Sequence, residues 1–512
     1  MNSTESPIEN GKYNKFGNFS VTALSLVLFA FCALMALFSC ADIIMTAGFL
    51  FVPVVVVAFI AIVFLSGKIS NIKEIYTVSF LFLVGFFVRL IFIICFDTVQ
   101  ISDFERYYTM SSQLVSGSNP DLSFIKLFPE LQSFVGLNAL LMSVFGTNIK
   151  VILSVYALFS AGTAPVIYYM VRNYSGRAAF IAAVLFTLYP VNIVCSVLFS
   201  NQQVATFFFF ASYAVLCMNK RRTIGCKCLK LALSGLLLAI AQIVRPIAIP
   251  VLIAVVIFYV IKEFTVTDAS FSKRITHSLL IFVFIGVYFA VNFLSGLALV
   301  AVGMRDSVSD MSTDLKAYIY VGLNYESTGR YSVEIVDKYR NATPDEQSKL
   351  TGDAIKNIFE NPTGAIKLFG TKMMMVWGSG DRAANMAIGG RVSDIDKQIV
   401  EGTATENDKY VKNGLLQFAG AVRKTDASFM FVTMALAALG IWATRKRKAG
   451  DCTVFLKWML LGIVSLRMII EIQSRYRYET MPALFMFAGV GAVYIIDRFK
   501  QKNNRSEAKK LS

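Results

Sequence analysis

Residues 76–96 read YTVSFLFLVGFFVRLIFIICF, and Arg89 is the only charged residue among them. A helix of about 20 apolar residues is long enough to cross the roughly 30 Å hydrocarbon core of a bilayer. Because a helix pairs its own backbone polar groups, it is one of the few structures that can cross this core. The stretch therefore predicts a transmembrane helix.

Stretches of this kind recur along the chain of 512 residues, of which 56% are hydrophobic and 16% are charged. Soluble domains have about 25% charged residues, so this composition is typical of a membrane protein. The sequence predicts an all-α polytopic membrane protein with about 12 transmembrane helices. These spans are expected at residues 19–40, 43–66, 76–96, 150–171, 178–197, 200–218, 230–244, 247–262, 276–302, 427–444, 453–471 and 480–496.

The basic residues predict which side of the membrane each loop occupies. They concentrate in the loop at residues 220–230, in the loop at residues 445–448 and in the tail after Arg498. Short loops rich in lysine and arginine stay in the cytoplasm, so both termini are expected to be cytoplasmic. The same rule accounts for the net charge of +16, and no nucleic-acid partner is expected.

Residues 131–149 are ambiguous, because these nineteen residues carry no charge and could cross the membrane. If they crossed, the basic loop at residues 220–230 would lie outside, against the positive-inside rule. We therefore expect Pro129 to Gly146 to form a juxtamembrane or re-entrant segment in the first outer loop. The sequence alone leaves a crossing by residues 131–149 open.

This topology divides the chain into five parts. They are a cytoplasmic N-terminus (1–18), a transmembrane module (19–302) with its first outer loop (97–149), an extracytoplasmic region (303–427), C-terminal transmembrane helices (428–496) and a basic cytoplasmic tail (497–512). The extracytoplasmic region holds 17 of the 33 acidic residues, as expected for a water-facing, mostly helical module. Within it, Thr343 and Glu346 have capping-box spacing and predict a helix that ends at Asn361-Pro362.

The residue inventory restricts the chemistry of any site. His277 is the only histidine, which nearly excludes histidine-based metal sites and Ser-His-Asp triads. The eight cysteines lie mostly inside predicted spans, so neither a disulfide framework nor a zinc site is expected. Acid–base chemistry must therefore use carboxylates.

Two carboxylates follow the third predicted span, in the stretch FDTVQISDFERYY at residues 96–108. Ser102 and Glu105 have the spacing of a capping box, which predicts a helix from Ser102 to about Gly117. Asp103 would then lie at a helix start at the outer edge of the membrane. It is either a functional carboxylate or a charge that complements the helix dipole.

Five stretches resemble, in the same order, the landmarks of a known enzyme family. They read SDFERYYTMSSQLVSG, LMSVFG, FTLYPVNIVCSVLFSNQQ, GLLLAIAQIVRPIAIP and EIQSRYRYETMP. Together with the arginine in the preceding span, they resemble the family 39-like membrane glycosyltransferases of the C superfamily over residues 76–496. Relatives of this family include protein O-mannosyltransferases and lipid A aminoarabinose transferases. Two departures are Asp103-Phe104, in place of the family's Asp-Glu pair, and Asn201-Gln202, in place of a recurrent glutamate.

The resemblance implies an inverting transfer of a hexosyl or pentosyl group from a polyprenyl-phosphate donor, without a nucleotide sugar. It places the enzyme in the bacterial cell membrane, with its active site on the extracytoplasmic face. The acceptor would be a glycan, lipid or protein of the cell envelope. No cofactor and no metal site of the protein are expected, although a divalent cation could accompany the donor phosphate.

Four residues fit the acceptor side of this chemistry. Asp103 is expected to be the general base that takes the proton of the acceptor hydroxyl. Asp97 would either orient the acceptor or mark the membrane boundary. Glu130 is a third carboxylate that could support the site, and Arg89 could reach Asp97 or the cleft.

The leaving group is a lipid phosphate, which needs cations in a low-dielectric cleft. We expect Arg475, Arg477 and Arg245 to bind this phosphate, with Lys372 as a weaker candidate. The alternative is that the three arginines only anchor helix ends at the membrane surface.

Two further charges lie in the eleventh predicted span. Arg467 and Glu471 are four residues apart, which places them on one face of a helix. Because isolated charges are costly inside a membrane, the two are predicted to form an i, i+4 ion pair.

Two other classes of protein remain as alternatives. Secondary transporters often have twelve helices with both ends in the cytoplasm, but their sites lie near the bilayer midplane between related halves. Here the best-placed carboxylates lie at the outer surface. A lipid-linked polysaccharide polymerase or ligase is closer in chemistry and is expected to use arginines without a carboxylate in the first outer loop.

Overall fold

The computed structural model of the chain describes residues 15–69, 72–118, 131–218, 223–265, 275, 278–307, 315–445 and 451–511. These residues form helices and no strands. The first half contains α1 (Lys15–Met45), α2 (Phe51–Ile69), α3 (Glu74–Cys95), α4 (Ser102–Val115), α5 (Gln132–Phe145), α6 (Ile149–Val171), α7 (Gly176–Thr187), α8 (Pro190–Val194), α9 (Gln202–Cys217), α10 (Ile224–Val244), α11 (Ala248–Thr265) and α12 (Ile281–Ala301). The second half contains α13 (Leu315–Gly322), α14 (Val333–Arg340), α15 (Pro344–Glu360), α16 (Pro362–Met373), α17 (Ala383–Val400), α18 (Glu406–Ala443), α19 (Asp451–Ile469) and α20 (Met481–Leu511).

The described part of the chain contains nine helices that are long and apolar enough to cross a membrane. A tenth candidate is the pair of helical segments Gly176–Thr187 and Pro190–Val197, which meet at 47°. These ten correspond to ten of the predicted spans, which confirms an all-α polytopic membrane protein. The other two predicted spans correspond to shorter apolar helices, α9 (Gln202–Cys217) and the part Ala248–Tyr259 of α11. The count of twelve therefore stays a prediction.

The ambiguous segment contains α5, which has 14 residues and a length of about 21 Å. This helix is too short to cross a hydrocarbon core of roughly 30 Å without distortion. It packs against α4, where the rings of Tyr107 and Phe134 meet edge to face with centroids 5.5 Å apart. The predicted first outer loop therefore contains two short helices that pack side by side, and its side of the membrane stays a prediction. Residues 119–130, including Glu130, lie outside the described residues.

The two predicted helix starts have different outcomes. Thr343 accepts from the backbone N–H of Glu346 and the Glu346 carboxylate accepts from that of Thr343, so this capping box is confirmed. Helix α4 begins at Ser102 as predicted, but its N-cap is Ile101 and no side chain caps it. The capping box of Ser102 and Glu105 is therefore wrong. The physical reason is the backbone of Ser102, whose φ of +56° is a left-handed conformation instead of that of an N-cap.

The longest helix is α18, whose 38 residues span about 57 Å. The boundary predicted at residues 427–428 lies inside it, so the predicted outer region and a membrane span share one continuous helix. Helix α18 packs closely on α20, because a Cβ on Gly440 would lie 1.9 Å from the carbonyl oxygen of Phe487. Such small residues let transmembrane helices approach each other closely.

The helices of the predicted outer region have a small apolar core of their own. Its buried residues are Tyr320, Val321, Leu323, Ile335, Tyr339 and Ala354. This core meets the rest of the protein at Gly322, where a Cβ would lie 2.2 Å from the carbonyl carbon of Ile470. The backbone N–H groups of Glu471 and Ile472 donate to the carbonyls of Tyr318 and Gly329. The outer region is thus attached to the segment that follows α19.

Candidate active site

The candidate site is built around the segment Ser474–Thr480, which connects α19 to α20 and starts with a 3-10 turn, Ser474–Arg477. In such a turn successive side chains point about 120° apart. Arg475, Tyr476 and Arg477 consequently point in different directions, and Tyr478 and Glu479 follow this turn. This short segment contacts charged side chains that lie far from it, and from each other, in the sequence.

Arg475 contacts the predicted general base. Its Nη2 donates to Asp103 Oδ2 over 3.1 Å, and 31% of the Asp103 side chain is exposed. The guanidinium carbon of Arg475 lies 4.8 Å from the centre of the Phe104 ring. Gln202 fixes the backbone here, since its Nε2 donates to the carbonyl of Arg475 over 2.9 Å. Two predicted site residues, 372 positions apart, are therefore brought together.

Tyr476 lies among three arginines. The guanidinium carbons of Arg467, Arg245 and Arg475 lie 4.4, 5.0 and 5.9 Å from the centre of its ring. Cations gain stabilisation over an aromatic face, and this gain grows when water is excluded. We call Arg245, Arg467 and Arg475 the arginine cluster.

Glu479 is the counter-ion of two members of the arginine cluster. Its Oε1 lies 2.5 Å from Arg245 Nε, and its Oε2 lies 3.6 Å from Arg467 Nη2. Only 2% of its side chain is exposed. The ion pair predicted between Arg467 and Glu471 is therefore wrong, because the segment after α19 leaves the helix and brings Glu479 back to Arg467 instead.

Several N–H groups of the arginine cluster lack a hydrogen-bond partner among the described residues. They are the buried Nε of Arg475 and the buried Nε of Arg467, while Nη2 of Arg467 has only the long ion pair with Glu479. A second nitrogen of Arg245, Nη1, donates to Asn201 Oδ1 over 2.9 Å. Because unpaired buried donors are costly, these groups suit an anion with several acceptor oxygens.

Arg477 points away from the arginine cluster. Its Nη2 lies 2.5 Å from Asp426 Oδ2 and 3.1 Å from Asp381 Oδ2, and its Nη1 donates to the carbonyl of Ser379. The side chains of all three charged residues are at most 1% exposed. These contacts favour a structural role for Arg477 over the phosphate binding that we predicted for it.

Lys372 is also occupied by the protein. Its Nζ donates to the carbonyls of Gly322, Met468 and Ile470 over 2.7–2.8 Å. An ammonium group has three N–H donors, so no donor is left for a phosphate. Lys372 instead joins the outer region to the end of α19.

Arg89 lies fully buried in α3 and is connected to the site segment by hydrogen bonds. Its Nε donates to Ser160 Oγ, and Ser160 donates to Asn192 Oδ1. The hydroxyl of Tyr478 donates to the same Asn192 oxygen. Arg89 is thus linked to the site segment through two polar side chains.

Asp97 lies apart from these groups. Its side chain is 91% exposed, and Lys150 Nζ lies 4.0 Å from its Oδ1. Such exposed pairs contribute little energy. This position suits a marker of the membrane boundary better than a catalytic contact.

Glu471 is a buried carboxylate at the edge of the site, where it accepts from Gln473 Nε2 over 3.2 Å. Burial raises the pKa of Glu471 above its usual value of 4.5, and the negative charge of Asp103 raises it further. Gln473, Arg475 and Arg467 lower it in part.

The pKa of Arg475 is raised as well, which for an arginine favours the charged form. Burial lowers its pKa, but Tyr476 and Asp103 outweigh this effect, so the pKa lies above the usual value. Arg475 therefore remains a cation.

The sequence interpretation missed Glu479 and Tyr476 and assigned Arg467 to another partner. The alternation of arginine and tyrosine in EIQSRYRYET was the signal available, because such a density of charge beside a span is rare. Within the described residues, no group of three or more histidine, cysteine, aspartate or glutamate side chains could hold a metal ion.

Residues 136–292 match the family model described as dolichyl-phosphate-mannose-protein mannosyltransferase. The matched segment includes Asn201 and Arg245 and ends before Ser474–Thr480. No curated protein and no solved structure matches the chain. The family match supports a membrane glycosyltransferase of the C-superfamily type that uses a lipid-linked sugar donor.

Proposed function

We propose that the chain transfers a sugar, with inversion, from a polyprenyl-phosphate donor to an acceptor of the bacterial cell envelope. The observation that carries this proposal is the contact between Asp103 and Arg475. It places a partly exposed carboxylate directly beside a group of cations. A base and an anion-binding site in one place are the minimum needed for this transfer.

Asp103 acts as the general base in this proposal. The acceptor hydroxyl gives its proton to the carboxylate of Asp103 while its oxygen forms a bond to the anomeric carbon of the sugar. The bond between that carbon and the phosphate oxygen breaks on the opposite side of the ring. Its electron pair leaves with the lipid phosphate, so the anomeric configuration inverts.

The arginine cluster stabilises the leaving phosphate. Arg467 and Arg475 offer the unpartnered N–H groups, and Arg245 adds charge beside them. Arg245 and Arg467 are already held around Tyr476 and by Glu479, so these two side chains need little reorganisation when the phosphate charge develops. A divalent cation carried by the donor phosphate would add to this charge without a protein cage.

The acceptor is a cell-envelope glycan, lipid or protein on the extracytoplasmic face, and both termini lie in the cytoplasm. This placement follows from the distribution of basic residues along the sequence. In this topology, the position of Asp103 just after α3 supports a site at the outer surface. A base in this place distinguishes the proposal from a transporter, whose carboxylates are expected near the midplane.

The proposal is tested with purified protein and a polyprenyl-phosphate sugar in a detergent assay. We expect release of polyprenyl phosphate when a cell-envelope acceptor is present and no nucleotide sugar is added. Activity with a nucleotide sugar alone would contradict the proposal.

A further inference from the structure

The general base and its neighbouring cation are paired with each other in the structure. Arg475 Nη2 donates to Asp103 Oδ2 over 3.1 Å. This hydrogen bond occupies one oxygen of the Asp103 carboxylate. The contact that holds Asp103 in place therefore also blocks that oxygen from an acceptor hydroxyl.

The side chain of Arg475 can change partner while its backbone stays fixed. Gln202 binds the carbonyl of Arg475, and Arg477, two residues later, is held by Asp426. The guanidinium itself has a single ion-pair partner among the described residues, and its buried Nε has no hydrogen-bond partner there. A rotation of the side chain would thus be enough to bring it to another anion.

A donor phosphate is such an anion. It has more acceptor oxygens than a carboxylate, and guanidinium groups bind it through two parallel hydrogen bonds. Arg467 and Arg245 lie beside the same Tyr476 ring as Arg475 and would share the phosphate with it. Asp103 and the phosphate therefore compete for one guanidinium.

We propose that Arg475 leaves Asp103 for the donor phosphate, so that binding of the donor activates the base. This inference rests on the proposed function, because without a phosphate donor Arg475 has no second partner. In the donor-bound site Asp103 is free to take the proton of the acceptor hydroxyl. Before the donor binds, the ion pair keeps the base inactive.

The competition predicts that one inactivating variant binds polyprenyl phosphate more tightly instead of more weakly. Asp103→Asn removes the negative competitor, so polyprenyl phosphate should bind more tightly although turnover falls. If Asp103 instead held Arg475 in its binding position, the same variant would bind the phosphate more weakly. The two roles are therefore separated by the direction of a binding change.

The experiment is a titration of the full-length protein in detergent with a C55 polyprenyl phosphate, followed by native mass spectrometry. We expect Asp103→Asn to bind the phosphate roughly fivefold more tightly than the original chain. Glu105→Gln is the matched control. This substitution removes the same charge from an exposed position on α4 and should leave the affinity for the phosphate unchanged. Arg475→Ala should bind weakly, and adding Asp103→Asn to it should give no gain.

Equal or weaker binding by a folded Asp103→Asn protein overturns the exchange. Asp103→Ser provides a second variant with the same expected sign, should the asparagine variant fail to fold. Binding of a neutral C55 polyprenol to the original chain is measured in parallel. This comparison distinguishes failure of the exchange from failure of the proposed function. If the original chain binds the phosphate no better than the alcohol, the phosphate donor itself is wrong and the exchange falls with it.

Discussion

Arg477 and Asp426 form a buried ion pair, with 2.5 Å between Nη2 and Oδ2 and at most 1% exposure of either side chain. The pair joins the site segment Ser474–Thr480 to helix α18. Asp381 adds a second carboxylate to the same guanidinium. Arg477 therefore holds the turn that presents Arg475 to Asp103.

Removing Arg477 should unfold the protein more than it changes the chemistry. Arg477→Met leaves two buried carboxylates without their cation, at a cost of roughly 3–5 kcal/mol. Thermal unfolding followed by tryptophan fluorescence measures this loss. Lys356→Ala is the control, because Lys356 pairs with Glu360 on an exposed helix face and should have little effect. A stable Arg477→Met protein that no longer binds polyprenyl phosphate would show instead that Arg477 binds the phosphate.

Lys372→Met should also lower stability. The variant leaves three carbonyls without a donor, and each buried unpaired acceptor costs roughly 1–3 kcal/mol. Lys367→Met on the same helix is the matched control, since Lys367 is exposed. We expect a lower unfolding temperature only for Lys372→Met, with unchanged affinity for polyprenyl phosphate in the folded fraction. Selective loss of phosphate affinity without loss of stability would contradict this assignment.

The raised pKa of Glu471 predicts a dependence of stability on pH. Above its usual value of 4.5, the folded protein retains a proton that the unfolded chain has released. Stability should therefore fall as the pH rises from about 4.5 to the raised pKa. Glu471→Gln removes this titration, so the variant should gain stability relative to the original chain across that window.

Thermal unfolding of both proteins at a series of pH values measures this difference. Glu105→Gln controls for loss of one negative charge from an exposed position. A constant difference between Glu471→Gln and the original chain at every pH would show that Glu471 does not titrate in this range.

The fold could be predicted from the sequence because its main determinant is local. Each apolar stretch specifies a helix by its own length, and Thr343 and Glu346 specify a helix start by their spacing. Ser102 and Glu105 have the same spacing but do not form a capping box. The positive φ of Ser102 is set by its surroundings in the tertiary structure, which a local pattern does not contain.

The site could be predicted only in part. Asp103 and Arg475 were each expected from their positions beside spans, but the partners of the other arginines were not. Arg467 is four residues from Glu471 in the chain, yet the ion pair goes to Glu479 because the chain reverses direction between α19 and α20. Arg477 and Arg475 are equivalent in the sequence pattern. Only the fold directs one to Asp426 and the other to Asp103.

Reporter fusions test the predicted topology. Fusions at Thr223 and Lys448 should report the cytoplasm, and fusions at Asn341 and Asp408 should report the outside, as the basic loops require. The pair Thr223 and Asn341 is the informative one. If both report the same side of the membrane, the twelve-span arrangement fails.

The most direct test of the proposed chemistry is the turnover of Asp103→Asn with a polyprenyl-phosphate sugar and an acceptor. Asparagine keeps the shape of the side chain and its place at the start of α4, but it cannot take the acceptor's proton. We expect turnover to fall by roughly 10²–10⁴, the range for loss of a general base, while the unfolding temperature stays close to that of the original chain. Near-normal turnover in a folded Asp103→Asn protein would contradict the account and leave Asp103 as a charge that pairs with Arg475.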